Sequence, residues 1–322
     1  MEINRRTFFG LGVGVLATQA MPMLAAAQVA SADQDFADEL IHKYMKVTPL
    51  EIAVNAKKPF KIFHCSDTHI TCWGPKDIRD KKDFQLYERR SKYFNTAMPS
   101  LAASIAYAKK KKLPMFHTGD LLDFENEANL NAALAAFRGD DFFFVIGNHE
   151  AAGHWSSKWA PRNAKTARKQ RTRMEKYFPN PLMVASRVIN GINFVAFDNG
   201  GQSNWESNDV FAKVKAEFAK GLPVVLMCHM PFYTKGLFEE TVVKRKQVKA
   251  ENFGNGWVAG VPGKSYPAGL TALMKWVKTQ KLLKTILCGH THWEYQDEIA
   301  EGVTQYVAGG NYEGCAYEIT FM

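Results

Sequence analysis

Lys61-Ile-Phe-His-Cys-Ser-Asp-Thr-His69 sets a short apolar run directly ahead of an aspartate and a histidine two residues apart. A run of this length and composition reads as a buried strand, so Asp67 and His69 sit where a strand ends. Four further stretches repeat the arrangement. Pro114-Met-Phe-His-Thr118 runs into Gly-Asp120-Leu-Leu-Asp123, and Phe142-Phe-Phe-Val-Ile146 into Gly-Asn148-His149-Glu150. Pro223-Val-Val-Leu-Met-Cys228 runs into His229-Met-Pro, and Thr285-Ile-Leu-Cys288 into Gly-His290-Thr-His292. Strand ends are the usual place for a site in an α/β sheet.

The residue types explain what such a site is for. A hydrolytic two-metal centre needs oxygen and nitrogen ligands that leave positions open for water and substrate, whereas thiolates close a site around one soft ion. Asp67 with His69, and His290 with His292, are pairs at i and i+2. In extended backbone both members project to one side, so each pair is expected to grip one ion. Single Asp-x-His or Gly-Asp pairs are common by chance, but these five blocks take up five of the nine histidines in the chain. His64 and His117 lie inside apolar runs and read as core or supporting histidines. His154 reads as an ordinary loop residue.

In order and spacing the five blocks resemble the calcineurin-like metallophosphoesterase superfamily, from about Lys61 to the C-terminus. The resemblance implies that Asp67, His69 and His292 hold one metal, that Asn148, His229 and His290 hold the other, and that Asp120 bridges them. It implies Mn, Fe, Zn or Ni as the metals and a hydroxide between them as the nucleophile. His149, next to a ligand, would donate a proton to the leaving alkoxide, with Asp123 orienting it. Purple acid phosphatases carry a tyrosine three residues after the bridging aspartate, where this chain has Asp123. Ser/Thr protein phosphatases continue the second and third blocks with an Arg-Gly and a Cys-Arg that grip phosphate; here the continuations are Phe124-Glu125 and Ala151-Ala152. The blocks leave open a phosphatase for small phosphorylated substrates and a phosphodiesterase or nuclease acting on cyclic nucleotides, glycerophosphodiesters or nucleic acid.

At the N-terminus, Asn4-Arg5-Arg6-Thr7-Phe8-Phe9 precedes a mildly apolar stretch and Ala25-Ala26-Ala27, and resembles a twin-arginine export signal cleaved before Gln28. That implies the twin-arginine export machinery as a partner, a periplasmic or secreted location, and no stable membrane insertion after cleavage. The 322-residue chain is 46% hydrophobic, enough for a core, with a formal net charge of +9. Removing residues 1–27 takes away Arg5, Arg6 and Glu2, leaving +8. A basic balance favours anionic partners. Of five cysteines, Cys65, Cys228 and Cys288 read as buried thiols beside the blocks, and only Cys72 and Cys315 offer a bridging pair.

Residues 28–54 read as a peripheral N-terminal arm and residues 55–322 as one domain. Helical patterns lie at Met98–Lys112, Asn129–Phe137, Val210–Lys220 and Leu270–Lys281. With the resemblance, the alternation of strands and helices implies a four-layer α/β/β/α sandwich of two mixed sheets. The lysine run 109–112 falls at a helix end, where the dipole favours cations. Two stretches lack the alternation and are expected to build the substrate pocket: 151–181, with Lys158, Arg162, Lys165, Arg168, Lys169, Arg171, Arg173 and Lys176, and 232–267, rich in glycine and aromatics. The first also reads as a solvated helix face. A two-metal phosphoester hydrolase acting on a small anionic substrate is favoured over a non-catalytic metal-binding protein, against which His149 speaks. It is also favoured over a nucleic-acid scavenger, for which salt-sensitive DNA binding would be the mark.

Overall fold

Ile62 and Phe63, neighbours in one strand, are both fully buried but in different cores, and this alternation generates the layers. The computed structural model describes residues 34–78, 81–137, 139, 141–151, 163–200 and 203–322. Strand β2 (Phe60–Cys65) pairs in parallel with β3 (Met115–His117), which pairs in parallel with β4 (Phe142–Phe144). On its other side β2 runs antiparallel to the C-terminal strand β11 (Cys315–Phe321), and β11 lies parallel to β1 (Lys46–Ile52). The first sheet therefore has the order β1-β11-β2-β3-β4.

The second sheet contains β5 (Val184–Ile189), β6 (Ile192–Phe197), β7 (Val224–Met227), β8 (Leu283–Cys288), β9 (Tyr295–Ala300) and β10 (Val303–Val307), in the order β5-β6-β7-β8-β10-β9. Its middle strands are parallel and its edges antiparallel. β6 and β7 are buried along their whole length, as expected of parallel strands covered on both faces.

Three apolar layers hold the sandwich. Ile62, Phe116, Phe143 and Ile319 of the first sheet meet Phe194, Val225, Met227 and Leu287 of the second. Outside the first sheet, Phe63, Cys65, Met115 and Phe144 pack with helices α1 (Gln34–Tyr44), α3 (Ala97–Lys111) and α4 (Glu127–Ala136). Outside the second, Val195, Leu226 and Ile286 pack with α7 (Ser203–Phe218) and α9 (Ala268–Val277). The result is a four-layer α/β/β/α sandwich of two mixed sheets. Between these elements lie α2 (Lys81–Tyr93), a short α5 (Asn148–Ala151), α6 (Ala164–Met174) and α8 (Lys235–Phe238).

One expectation needs correction. Residues 34–52 do not form an arm outside the domain: α1 packs on α3, and β1 supplies the edge of the first sheet. Pro49 weakens the strand pattern there, and only an edge strand tolerates it. Cys72 and Cys315 do not pair; all five thiols are free, Cys72 being buried beside α4, where its backbone N–H bonds Asn129, while Cys315 opens β11 against Gly309. The stretch 151–181 contains α6, the helix that its reading as a helix face expects. The lysine run does close α3, with Lys110 paired to Asp38 of α1 at 2.6 Å and Lys112 in the left-handed cap position. Among the described residues no helix is long and apolar enough to cross a membrane.

Candidate metal centre

Asp67, His69, Asp120, His290 and His292 all have positive φ, between 53° and 73°. For residues other than glycine this conformation is uncommon and strained, and it persists only where the surroundings impose it. The i, i+2 argument from extended backbone is thus corrected. Each strand ends before its Asp-x-His or His-x-His pair, and two left-handed residues separated by one other curl the chain so that both side chains turn into the same hollow. Glycines allow the loops to close in: a Cβ on Gly147 would overlap Asp120 Oδ1, and one on Gly289 would overlap Ser66 Oγ.

The hollow is built from lone pairs. His69 donates from Nδ1 to Asp123 Oδ1 at 3.1 Å, His229 from Nδ1 to Thr118 O at 2.7 Å, and His290 from Nε2 to Gly256 O at 2.7 Å. Their other ring nitrogens, which offer a lone pair whenever the ring is neutral, converge. His69 Nε2 lies 3.0 Å from His292 Nε2, which is 3.4 Å from Asp67 Oδ1. His229 Nε2 lies 3.1 Å from Asn148 Oδ1, 3.2 Å from Asp120 Oδ2 and 3.1 Å from His290 Nδ1. Among the described residues, Asp67 Oδ1 is buried without a hydrogen-bond partner. A set of acceptors facing one another with a buried carboxylate oxygen unanswered is what a cation would satisfy. The donor types, imidazole, carboxylate and amide oxygen, suit a divalent ion with hydrolytic chemistry.

The titration behaviour reflects the same crowding. Burial pushes His69 down to about 4 and His290 down to about 3. Burial also opposes charge on His229, but Asp120 and Asp67 outweigh it and hold the imidazole up to about 10. Asp67 and Asp120 stay well below the usual carboxylate range: burial works to raise them, and the surrounding imidazoles prevail.

His149 stands beside this hollow. Its Nδ1 donates to the backbone oxygen of Asp123 at 2.7 Å, and its Nε2 is 3.8 Å from Asp120 Oδ2. Burial disfavours its charged form, yet Asp120 and Asp123 raise it to about 9. Groups compatible with ion binding are Asp67 with His69 and His292, Asp120 with His229 and His290, and His69 with Asp120 and His149.

A family model described as calcineurin-like phosphoesterase matches residues 60–294. The chain belongs to that family. It is accordingly a metal-dependent phosphoester hydrolase. No curated protein matches the chain in sequence. Among solved structures, a dimetal phosphatase from Danio rerio is similar at 10% identity and a TM-score of 0.45, over 80% of this chain and 91% of that one. A putative 5'-nucleotidase from Staphylococcus aureus has 11% identity and a TM-score of 0.42, over 79% of this chain and 49% of that one. A phosphopantetheinyl hydrolase from Mycobacterium tuberculosis has 12% identity and a TM-score of 0.40, over 82% and 91%.

In this calcineurin-like phosphoesterase the structure also brings in residues that the five blocks do not contain. Arg90 of α2 binds the Asp123 carboxylate through Nε at 2.7 Å and through a second nitrogen. That carboxylate is thus shared by Arg90 and His69, and reaches His149 Nδ1 only at 3.3 Å. Glu150, fully buried, accepts the backbone N–H groups of Asp120 (3.0 Å), Leu122 (2.7 Å) and Gly147 (2.8 Å), so one carboxylate ties the second block to the third. Phe94 stacks on His69 at 4.3 Å between ring centroids. His64 and His117 bond Thr118 and Thr68, each at 2.9 Å, and support the loops from within. His154, Lys158 and Arg162 lie outside the described residues. Further along the basic stretch, Arg168 and Arg171 pair with Glu206, and Arg173 pairs with Glu125, so these three dock α6 on the fold.

Proposed function

We propose that the chain is an exported hydrolase with two metal ions that acts on a small phosphorylated substrate. Asp67, His69 and His292 would hold one ion and Asn148, His229 and His290 the other, with Asp120 between them. Bound there, two ions supply an activated water nucleophile and neutralise charge on the phosphoryl oxygens. The protein's own contribution is to hold the ligands in strained loops, to fix each imidazole tautomer through its second nitrogen, and to keep His149 protonated at Nε2 beside the reacting centre. From there His149 donates a proton to the departing oxygen. The observation that carries the reading is the convergence of these seven side chains in two adjoining groups, Asp67 with His69 and His292, and Asp120 with Asn148, His229 and His290, the first of them holding an Asp67 Oδ1 that is buried without a hydrogen-bond partner among the described residues.

The residues after Asp123 and Glu150 lack the arginine-containing clamps noted above, which favours small substrates over phosphoproteins. Export rests on Arg5 and Arg6 and the apolar segment that follows, which lie outside the described residues.

The experiment is metal analysis of the purified protein together with turnover of a panel of phosphomonoesters and phosphodiesters. Two equivalents of metal and hydrolysis of at least one class are expected, and Asp120→Asn should lose both metal and turnover. An Asp120→Asn protein with native metal content and rate would refute the two-metal assignment.

A further inference from the structure

Tyr93, the last residue of α2, is 63% exposed, the most of any large hydrophobic side chain among the described residues. Lone exposed aromatics are ordinary, but this one is not isolated. Its ring meets Phe94 edge-on at 4.8 Å, and Phe94 in turn stacks on His69. Tyr312 completes the shelf, 4.8 Å from Phe94, 6.2 Å from Tyr93 and 5.3 Å from His292. Phe94 and Tyr312 are buried backing for the two imidazoles. Tyr93 alone carries the shelf into solvent.

It does so on an open side of the centre. The side chain of His292 is 29% exposed, whereas Asp67 and His69 are closed off. At the other end, Trp257 lies 6.1 Å from His290, but it packs into an apolar cluster with Leu237 and Phe253 and has less free surface to offer. The rest of α2 fixes the platform: Arg90 is tied to Asp123 and lies over the Phe94 ring at 4.6 Å, and Trp73 donates to Ser91.

We propose that Tyr93 is a specificity-determining residue that stacks the non-phosphate part of the substrate, and that this part bears a flat ring, a nucleobase or an aryl group. The inference rests on the phosphoester-hydrolase reading for its placement of the phosphate. An aromatic platform suits such a ring because every base presents a π face and gains free energy by stacking on it.

The test compares wild type with Tyr93→Ala and Tyr93→Trp on adenosine 5'-monophosphate, phenyl phosphate and glycerol 3-phosphate. Because the side chain is exposed, both variants should fold. Tyr93→Ala should raise KM for one or both ring substrates about tenfold, within the usual range for one stacked base, with kcat little changed and glycerol phosphate unaffected. Tyr93→Trp should restore the wild-type value. Loss confined to the nucleotide or to phenyl phosphate identifies which ring the shelf serves. Equal changes for all three substrates, or none, overturn the inference and leave the hydrolase reading intact. Ligand-observed NMR of adenosine and of phenol, which have no phosphate, separates the two further. Binding of either that depends on Tyr93, in a protein that hydrolyses no member of the phosphomonoester and phosphodiester panel, would sustain the shelf and remove the hydrolase reading, while turnover with no Tyr93-dependent binding of either does the reverse.

Discussion

Arg90 forks onto the carboxylate of Asp123, with Nε 2.7 Å from Oδ2, while Oδ1 of the same carboxylate accepts Nδ1–H of His69 at 3.1 Å. A helix outside the five blocks thereby fixes the tautomer of an imidazole that faces the hollow. Arg90→Ala should weaken metal binding and lower turnover by about 10–100-fold, the usual cost of losing a group that orients a ligand. Metal titration of the metal-free variant, read alongside kcat, checks this. Unchanged affinity and rate would mean that Arg90 only neutralises a buried charge. Lys at this position should recover little, because it lacks the fork.

Glu150 should matter for a different reason. Its carboxylate satisfies three buried N–H groups on two loops. In Glu150→Gln one of the two acceptor oxygens becomes an amide nitrogen, so at least one N–H loses its partner. Destabilisation of about 1–3 kcal/mol is expected from chemical denaturation of the metal-free protein, together with weaker metal binding. Stability within error of wild type would show that the loops hold their shape without it.

These two residues mark where sequence reading ends. That Asp67, His69, Asp120, Asn148, His229, His290 and His292 gather in one hollow was legible because each lies within a few residues of the end of a short apolar run, and strand identity follows from composition over a few residues. The helices α3, α4, α7 and α9 were legible from periodicity, with ends displaced by up to seven residues in the case of α7, whereas α1 and α2 were not. Arg90 was not, because its partner is 33 positions away and nothing local marks it. Glu150 stood in view beside His149, but its three bonds depend on how two loops meet. The left-handed ligand backbones were also hidden, since aspartate and histidine carry no signal comparable to glycine for positive φ. β1, β5, β6, β9, β10 and β11 escaped notice for plainer reasons: β1 contains Pro49, β6 is apolar but leads into none of the five blocks, and the others mix polar with apolar residues as partly exposed strands do.

Export is tested independently of the site. Arg5→Lys together with Arg6→Lys should leave the precursor in the cytoplasm, because a receptor reads the arginine pair as an address rather than as charge alone. Fractionation with detection of precursor and mature forms decides it. Continued delivery across the membrane would point to the general secretory route.

The last prediction separates proton donation from metal holding at His149. Its Nδ1 is committed to the Asp123 carbonyl, and its Nε2 faces the Asp120 edge of the hollow. That position is within reach of an ion as well as of a leaving oxygen, so geometry alone admits both roles. If the residue is the acid, His149→Ala should keep its metal and lose turnover by about 10²–10⁴-fold. The loss should follow the leaving group: smallest for an aryl phosphate, whose oxygen departs without a proton, and largest for an alkyl ester. Asp123→Asn should then behave differently from the histidine variant. Its backbone oxygen still holds His149, while Arg90 and His69 lose the charge they share, so metal affinity should fall and leaving-group dependence should change little. Metal loss in His149→Ala, or an equal rate loss for every leaving group, would instead make His149 a ligand or a structural residue.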